Sequence, residues 1–440
     1  PPYMRARFED WVNGLNGDWC VSRQRFFGVP FPLWYPLDGE GNVVHATPIL
    51  AAEEQLPVDP STDGPEGYRP EQRGQPGGFV GDPDVMDTWA TSSLTPQIAG
   101  QAGEDPVLFG KVFPMDLRPQ AHDIIRTWLF TTVLRSELDE GELPWANAAI
   151  SGWVLDPDRK KMSKSKGNVV TPLHLLEEHG ADAVRYWAAS GRPGADTAFE
   201  SQQMKVGRKL AVKLLNASKF ALADLPPEAE ELAHPLDRAM IRRLAAVAAE
   251  AGKSFEDYDY ARALQHTEEF FWWYCDYYLE LVKGRRYSAD PEVAAAVSRA
   301  LRISLSVFQR LFAPFLPFVT EEVWSWWKQG SVHRAAWPEA AELSAEAASG
   351  GIAEEEELAL EMSAAVLAEV RKAKSQAKRP MRAPVARLLV RDTPERLEAL
   401  ALGAGDLSEA GSLEGPLETE QADELSVEVE LAEEAPAPHL

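Results

Sequence analysis

The sequence predicts an α/β region at the start of the chain, an all-helical region in the middle and a small α/β region at the end. Strand-like and helix-like stretches alternate over residues 111–155, amphipathic helical stripes occupy residues 205–327, and an alternating apolar pattern appears near residue 425. All 14 Trp, 17 Phe and 10 Tyr lie at or before Trp337, so composition changes where the last region begins. We therefore expect three domains, at residues 1–195, 196–338 and 339–440.

The first domain contains a predicted strand–helix–strand unit. Residues 111–116 favour a strand, residues 122–136 a helix and residues 148–155 a second strand, which is the order of a βαβ unit. Residues 57–83 carry six Pro and six Gly, too many for a regular element. That segment is predicted to be a surface loop.

The second domain contains apolar stripes at helical spacing. One helix carries a stripe of Val206, Leu210 and Leu214 beside a row of lysines at every fourth position. A second stripe is carried by a helix that Gly284 can end, and it consists of Leu264, Phe271, Cys275, Tyr278 and Val282. A third stripe is broken at Pro314 and Pro317, and it consists of Leu301, Leu305, Phe308 and Phe312. Together the stripes predict a helix bundle.

The third domain combines a helical stripe with strand-like segments. The stripe lies within residues 362–373, a strand is predicted at residues 388–390, and Thr393 followed by Pro394 is typical of a helix start. Residues 425–431 alternate between apolar and polar side chains, which predicts a half-buried strand. The acidic, proline-containing residues 433–438 are predicted to be a disordered end.

Charge and cysteine content exclude several classes of protein. Asp and Glu number 69 against 44 Lys and Arg, and the net charge of −25 argues against sequence-independent binding to nucleic acid. Cys20 and Cys275 lie too far apart for a Cys-x-x-Cys metal site. Since no secretory signal and no apolar run of roughly 20 residues is found, we expect a cytoplasmic protein that does not span a membrane.

One basic segment stands out in this acidic chain. Residues 159–166 hold five cations in eight positions, with small hydroxyl residues between the lysines. Lysine carries a compact charge on a flexible stem, so such a loop suits a polyphosphate. A solvated basic turn is the alternative for any lysine-rich run.

The order of residues in this segment identifies a family. Residues 161–165, Lys-Met-Ser-Lys-Ser, reproduce the signature loop of class I aminoacyl-tRNA synthetases, and residues 167–172 resemble its usual continuation. Residues 18–28 resemble the valyl- and isoleucyl-tRNA synthetases of that class, and residues 84–93 and 271–280 resemble the valyl-tRNA synthetases. The resemblance runs from about residue 3 to about residue 435. It implies the C-terminal half of a Rossmann-like nucleotide-binding catalytic domain, an all-α anticodon-binding bundle and a small α/β tail.

The resemblance implies an ATP-dependent reaction in two steps. Valine is activated to valyl-adenylate and then transferred to tRNA(Val), with Mg²⁺ accompanying the ATP. Lys161 and Lys164 would neutralise charge on the phosphates. The ATP-binding residues that the resemblance implies are His122, Asp123, Met162, Ser163, Lys164 and Ser165. Ala121 stands where the family usually has Gly.

The resemblance also implies sites for valine and for tRNA. The valine pocket maps onto Phe27, Asp84, Val85 and Trp89, although relatives commonly have Trp in place of Phe26-Phe27. The candidate tRNA face consists of Arg208, Lys209, Lys213, Asn216 and Lys219, with exposed aromatics such as Phe270 stacking on unpaired bases. A solvated basic helix face is the alternative for these cations.

One expected part of the family is not found in this sequence. None of the eight histidines has the His-x-Gly-His spacing of class I enzymes, and nothing resembles the editing domain. We therefore expect the C-terminal half of a longer enzyme, with the missing N-terminal half of the same polypeptide as its partner. We expect the isolated chain not to activate valine efficiently. Isoleucine specificity and a non-catalytic tRNA-binding protein remain the alternatives.

Overall fold

The computed structural model describes residues 1–223, 227, 229–348 and 351–433. The chain forms two compact units: unit 1 contains residues 1–153 and 193–195, and unit 2 contains residues 154–192 and those from 196 onward. The predicted disordered end lies, except for Glu433, outside the described residues. The bounds of the three predicted domains remain predictions.

Unit 1 contains short strands and helices, with many irregular connections. Its elements are α1 (Pro2–Asn13), β1 (Ser22–Arg23), β2 (Leu33–Pro36), β3 (Ile49–Leu50), β4 (Phe79–Gly81), β5 (Val85–Met86), α2 (Thr88–Ser92), α3 (Thr95–Ala99), α4 (Pro106–Val112), β6 (Met115–Ala121), α5 (Phe130–Asp139) and β7 (Trp145–Ser151). A 3₁₀ turn (His122–Ile124) and a π turn (Ile125–Leu129) lead from β6 into α5.

The predicted βαβ unit is present with shifted boundaries. Strands β6 and β7 pair in parallel, with Met115 opposite Trp145 and Ala121 opposite Ser151. The first strand was placed too early, because residues 111–112 belong to α4. Phe113 turns extended in front of Pro114, since the proline ring disfavours helical backbone in the residue before it. Below the sheet lies a small core of Met4, Ile125, Leu129, Trp145 and Ile150.

The predicted surface loop at residues 57–83 is more ordered than expected. It contains a 3₁₀ turn at Pro70–Gln72 and strand β4, which completes a three-stranded sheet of order β3-β2-β4. Phe79 and Trp34 in this sheet are almost fully buried. The prediction of an irregular loop was therefore wrong for β4, because a single buried aromatic side chain anchors it among glycines and prolines.

Unit 2 is mainly helical. Its elements are β8 (Val154–Leu155), α6 (Leu173–His179), α7 (Ala181–Ala189), β9 (Thr197–Ala198), α8 (Ser201–Leu222), α9 (Pro235–Glu256), α10 (Tyr260–Trp273), α11 (Leu279–Leu281), α12 (Lys283–Arg286), α13 (Pro291–Phe312), α14 (Pro317–Ser325), α15 (Ala340–Glu346), α16 (Ala353–Gln376), β10 (Val385–Asp392), α17 (Pro394–Ala401), α18 (Ala404–Gly411), β11 (Leu417–Gln421) and β12 (Ser426–Leu431).

The apolar stripes predicted from sequence form one large core. Leu210 and Leu214 of α8 are fully buried. The predicted stripe residues of α13 are each at most 4% exposed. The helix that carries the first stripe ends at Leu281, not at Gly284 as predicted, and Gly284 lies inside the separate short helix α12. A Cβ at Gly284 would collide with the Glu409 carboxylate, so this glycine permits close packing.

The C-terminal part of unit 2 is the predicted small α/β arrangement. Strand β10 lies at the centre of a sheet of order β11-β10-β12, parallel to β11 and antiparallel to β12. Alternate residues of β12 are half-buried and exposed, as predicted. Strand β11 was not predicted, because its sequence Leu-Glu-Thr-Glu-Gln shows no apolar alternation. Nowhere in the described part of the chain is a helix both long and apolar enough to cross a membrane.

Candidate active site and nucleic-acid interface

The signature loop is held by a hydrogen-bonded frame in unit 2. Strand β8 leads into a turn in which the Asp156 carboxylate accepts bonds from the Lys160 backbone N–H at 2.7 Å and from the Asn168 side-chain amide at 2.7 Å. The side-chain oxygen Oδ1 of Asn168 accepts a hydrogen bond from the Ser163 backbone N–H at 2.9 Å. Its side-chain nitrogen Nδ2 donates to the backbone carbonyl of Lys161 at 3.2 Å. The two ends of the loop are therefore joined through Asn168.

This frame changes the acidity of Asp156. The hydrogen bond from Asn168, followed by that from the Lys160 backbone, holds the pKa of the Asp156 carboxyl below its ordinary value. Asp156 is therefore ionised at neutral pH and remains an acceptor for both donors.

The lysines of the loop are directed outward. Lys161, Lys164 and Lys166 are exposed, while Met162 and Ser163 are half-buried. Lys164 and Lys166 lie in a 3₁₀ turn that ends at Gly167, whose φ of +67° favours glycine. Exposed ammonium groups on this hydrogen-bonded frame can reach an anion such as a phosphate.

His122 and Asp123 are brought together at the carboxyl end of β6 in unit 1. His122 is half-buried with its ring 4.6 Å from that of Trp153, and Asp123 is exposed. The Arg7 guanidinium lies 3.0 Å from His122 Nδ1. Arginine has only donors, so Nδ1 accepts this bond. In open α/β sheets, ligands bind at this edge of the strands.

Two of the four predicted valine-pocket residues line one cavity of unit 1. The cavity has a volume of about 280 Å³ and is bordered by Phe27 and Val85. Phe27 is 90% exposed and Val85 is buried. Asp84 and Trp89 lie outside its lining; Asp84 accepts a hydrogen bond from the Gln24 side chain at 2.7 Å.

The same cavity contains an ion pair that the sequence did not reveal. Asp87 is 6% exposed, its carboxylate accepts the Trp89 backbone N–H at the start of α2, and it pairs with the Arg23 guanidinium at 2.7 Å. An Asp directly before a helix is a typical N-cap, so the sequence could have indicated the capping role of Asp87. It could not have indicated the pairing of Asp87 with Arg23, which lies far away along the chain. A second, mainly apolar cavity of about 640 Å³, bordered by Trp11, Trp19 and Phe130, was also not predicted.

Four of the five predicted tRNA-binding residues form one exposed face of α8. They are Arg208, Lys209, Asn216 and Lys219. Arg208 also donates to the Glu178 carbonyl at 2.9 Å. Lys213 is half-buried, with its ammonium 3.5 Å from the Asp276 carboxylate and 5.8 Å from the Trp272 ring centroid. Lys213 is thus tied to neighbouring helices more than predicted.

The aromatic residue predicted to accompany this face is not exposed. Phe270 is half-buried, stacked on Trp273 at 5.4 Å and on Phe308 at 6.1 Å, so it belongs to the bundle core. Tyr287 is 64% exposed and packs edge-on against Phe220 at 6.0 Å, one residue beyond Lys219. The sequence did not single out Tyr287, because its neighbour on α8 lies far away along the chain.

Comparison with known proteins identifies this arrangement. A family model described as tRNA synthetases class I (I, L, M and V) matches residues 1–200, and one described as the anticodon-binding domain of tRNA ligase matches residues 237–390. A crystal structure described as the ternary complex of Agrobacterium radiobacter K84 agnB2 LeuRS-tRNA-LeuAMS is similar, with a TM-score of 0.57 and 25% identity, over 74% of this chain and 42% of that one. Fold and loop therefore define a class I aminoacyl-tRNA synthetase.

Similar curated sequences narrow the class to one family. The valine--tRNA ligase of Thermobifida fusca strain YX is 60% identical over 98% of this chain and 49% of its own length. Those of Salinispora tropica and Bifidobacterium longum strain NCC 2705 are 56% and 48% identical, over 96% and 99% of this chain and 51% of each relative. The chain belongs to the valine--tRNA ligase family. It spans about half the length of these relatives.

Proposed function

We propose that this chain takes part in the ATP-dependent activation of valine and its transfer to tRNA(Val). The observation that carries the proposal is the intact Lys161–Ser165 loop, held on the Asp156–Asn168 frame in a chain 60% identical to a valine--tRNA ligase. A decayed nucleotide site would not need to retain both lysines on an ordered frame. The names of the relatives favour valine over isoleucine.

In the first step, a carboxylate oxygen of valine forms a bond to the α-phosphorus of ATP. The bond from that phosphorus to the α–β bridging oxygen breaks, and pyrophosphate leaves with the electron pair. Lys161 and Lys164 stabilise the negative charge that builds up on the phosphates, which is an electrostatic role without a covalent enzyme intermediate. The exposure of Lys164 permits this contact.

Mg²⁺ enters the reaction with ATP. Within the described residues, no group of three or more His, Cys, Asp or Glu side chains could hold a metal ion. We propose that the phosphates supply most of its ligands, since Mg²⁺ beside a nucleotide is usually bound by the substrate phosphates with one or two carboxylates. His122 and Asp123 are proposed to contact the ribose and adenine.

The valine site and the tRNA face complete the proposal. Phe27 and Val85 would border the valine side chain, with Asp84 and Trp89 supporting the segments beside them. The exposed face of α8 would bind tRNA phosphates through Arg208, Lys209 and Lys219, and Asn216 would contact a base edge. Lys213 would contribute its charge at the side of this face. The proposed location is the cytoplasm, where aminoacylated tRNA is used.

A hybrid enzyme tests the catalytic proposal. In this hybrid, the chain replaces the matching half of the Thermobifida fusca valine--tRNA ligase. We expect valine-dependent ATP–pyrophosphate exchange. Isoleucine should be a poorer substrate by roughly 100-fold, because one additional methylene in an apolar pocket typically changes the specificity by about 10- to 200-fold. Equal exchange with both amino acids would contradict valine specificity, and no exchange in a folded hybrid would contradict the catalytic proposal.

Binding of tRNA can be measured with the chain itself. We expect Lys209→Ala and Lys219→Ala to weaken tRNA(Val) binding and to lower the slope of log affinity against log salt by roughly one for each lost phosphate contact. Glu292→Ala, on α13, is the control for a charge change outside this face. If the salt slope of the double variant equals that of the parent, α8 does not contact the phosphates.

A further inference from the structure

A cavity of about 390 Å³ lies between helices α7, α8 and α10 of unit 2. It lies outside the signature loop and the exposed face of α8. Its walls combine the aromatic rings of Tyr186 and Trp272 and the apolar side chains of Ala261 and Leu264 with several polar side chains, among them the carboxylates of Glu268 and Glu269. A cavity of this volume with aromatic walls and fixed polar groups can hold a small planar ligand.

The carboxylate of Glu268 is fixed in place but not saturated. Its Oε2 accepts the Tyr186 hydroxyl at 2.7 Å, and its Oε1 accepts the Trp272 indole N–H at 3.1 Å. An ionised carboxylate offers about four acceptor positions. These two bonds use one position on each oxygen, which leaves each oxygen able to accept another donor. Glu268 is therefore preorganised to receive two donors side by side.

Cationic groups lie at the border of the cavity. Arg192 belongs to its lining and is exposed, and Gln203 at the start of α8 also lines it. The Lys213 ammonium lies 5.8 Å from the centroid of the Trp272 ring, which itself lines the cavity. Lys213, at the side of the proposed tRNA face, therefore carries a positive charge close to the cavity. An anionic backbone can lie along these cations while an attached planar group enters between Tyr186 and Trp272.

We propose that this cavity binds one unpaired guanine nucleotide of an RNA. The base would stack on Trp272 and place its N1–H and N2–H donors on the two oxygens of Glu268, with Arg192 or Lys213 contacting the adjacent phosphate. Guanine presents two adjacent donors on its Watson–Crick edge, and the other RNA bases do not. The proposal rests on the proposed tRNA-binding function and adds a base-specific contact to it.

Short labelled RNAs test the site in the intact 440-residue chain. Fluorescence anisotropy would compare a uridine hexamer with hexamers that contain one central guanosine or one central inosine. A bidentate pair discriminates by about 1–3 kcal/mol in nucleic-acid recognition, so we expect guanosine to bind roughly 5- to 150-fold more tightly than uridine. Inosine lacks the N2 amine and should fall between them.

Matched variants locate the preference. Glu268→Gln replaces one acceptor oxygen by a donor and should abolish the preference for guanosine, whereas Glu292→Gln, an exposed residue of α13 outside the cavity, should retain it. Thermal melting establishes that Glu268→Gln is folded. Trp272→Phe keeps a ring but loses the N–H bond to Glu268; it should weaken all three hexamers while guanosine remains the tightest.

The outcomes separate this site from the tRNA face. Equal binding of the three hexamers, or a guanosine preference that survives Glu268→Gln, overturns the site. If that result occurs while Lys209→Ala still weakens tRNA(Val) binding, the tRNA-binding function stands and only the cavity proposal fails. If neither the hexamers nor tRNA(Val) bind the folded chain, both proposals fail.

Discussion

Asn168 shows how one side chain organises the signature loop. Its side-chain amide joins Asp156, Ser163 and Lys161, so a single residue closes the loop. Sequence order predicted the lysines, but not this frame. The turn that precedes the loop contains Arg159, whose backbone N–H donates to the Asp156 carbonyl and whose left-handed φ of +62° is uncommon for a residue other than glycine.

Replacing Asn168 by Ala should loosen the loop without unfolding unit 2. A neutral hydrogen bond contributes about 0.5–1.5 kcal/mol, so we expect the Ser163 amide to exchange its hydrogen roughly 2- to 12-fold faster. Hydrogen exchange with mass spectrometry checks this on peptides covering residues 161–168. Val169→Ala is the control, since Val169 is 44% exposed. Unchanged exchange in Asn168→Ala would show that the loop has another support.

At the scale of elements, buried charges fix how α9 packs on α16. Glu356 at the start of α16 is only 2% exposed. Its carboxylate accepts hydrogen bonds from two arginines of α9, from Nε of Arg238 at 3.0 Å and from Nη2 of Arg242 at 2.7 Å. Burial raises the pKa of Glu356, but the hydrogen bonds and charges of Arg238 and Arg242 outweigh it and hold the pKa below its ordinary value of 4.5. Glu356 is therefore ionised in the folded protein at neutral pH.

Glu356→Gln should destabilise the protein in a pH-dependent manner. Removing one charge of a buried pair typically costs about 3–5 kcal/mol, because the remaining cation loses its partner. Since the folded pKa lies below the unfolded one, the stabilisation is present above pH 4.5 and is lost as the pH falls through the folded pKa. The difference in melting temperature between parent and variant should therefore be largest near neutral pH and shrink in acid.

Calorimetry at several pH values measures this difference. Glu357→Gln is the matched control, because Glu357 is 32% exposed in its pairs with Arg242 and Arg243 and should contribute at most about 1 kcal/mol. If the two variants melt alike at every pH, the buried pair does not determine the packing of α9 on α16.

Sequence periodicity predicted the long helices of unit 2, but it did not predict where the helix before Gly284 ends or that β11 is a strand. The stripes of α8, α10 and α13 are long and apolar, so burial of one face determines their structure. Gly284 was misjudged because its role is contact with Glu409 rather than termination. Strand β11 was missed because pairing with β10, rather than its own polar sequence, makes it a strand. At the candidate site, local order identified the loop, while the Arg23–Asp87 pair and Tyr287 required tertiary contacts.

At the scale of the whole molecule, the change in composition at Trp337 is not a break in the core. Leu360, Val366 and Val390 belong to the same buried cluster as Leu210 and Leu301. A charged link also crosses residue 338: the Arg285 guanidinium bonds Asp237 of α9 at 2.7 Å and Asp406 of α18 at 2.9 Å. The loss of aromatic residues changes which side chains fill the core, not whether the core continues.

A chain ending at Trp337 should therefore fail to retain the stability of unit 2. Its bundle would lose the apolar cover of α16 and leave Arg238 without Glu356, and each large buried apolar side chain contributes about 1.5–3 kcal/mol. We expect a much lower melting temperature, increased binding of a hydrophobic dye and rapid proteolysis within residues 235–312. A truncated chain that melts at the temperature of the parent would show two independent domains on either side of residue 338.

Pyrophosphate exchange by the hybrid carrying Lys164→Ala tests the assigned chemistry most directly. If the Lys164 ammonium neutralises the phosphates in the transition state, the exchange rate should fall by about 100-fold or more, while the dissociation constant of valine, measured separately by calorimetry, stays within about two-fold of the parent. Leu173→Ala, an exposed residue beyond the loop, should leave both quantities unchanged. An exchange rate equal to that of the parent, or an effect confined to valine affinity, would contradict the role of the signature loop.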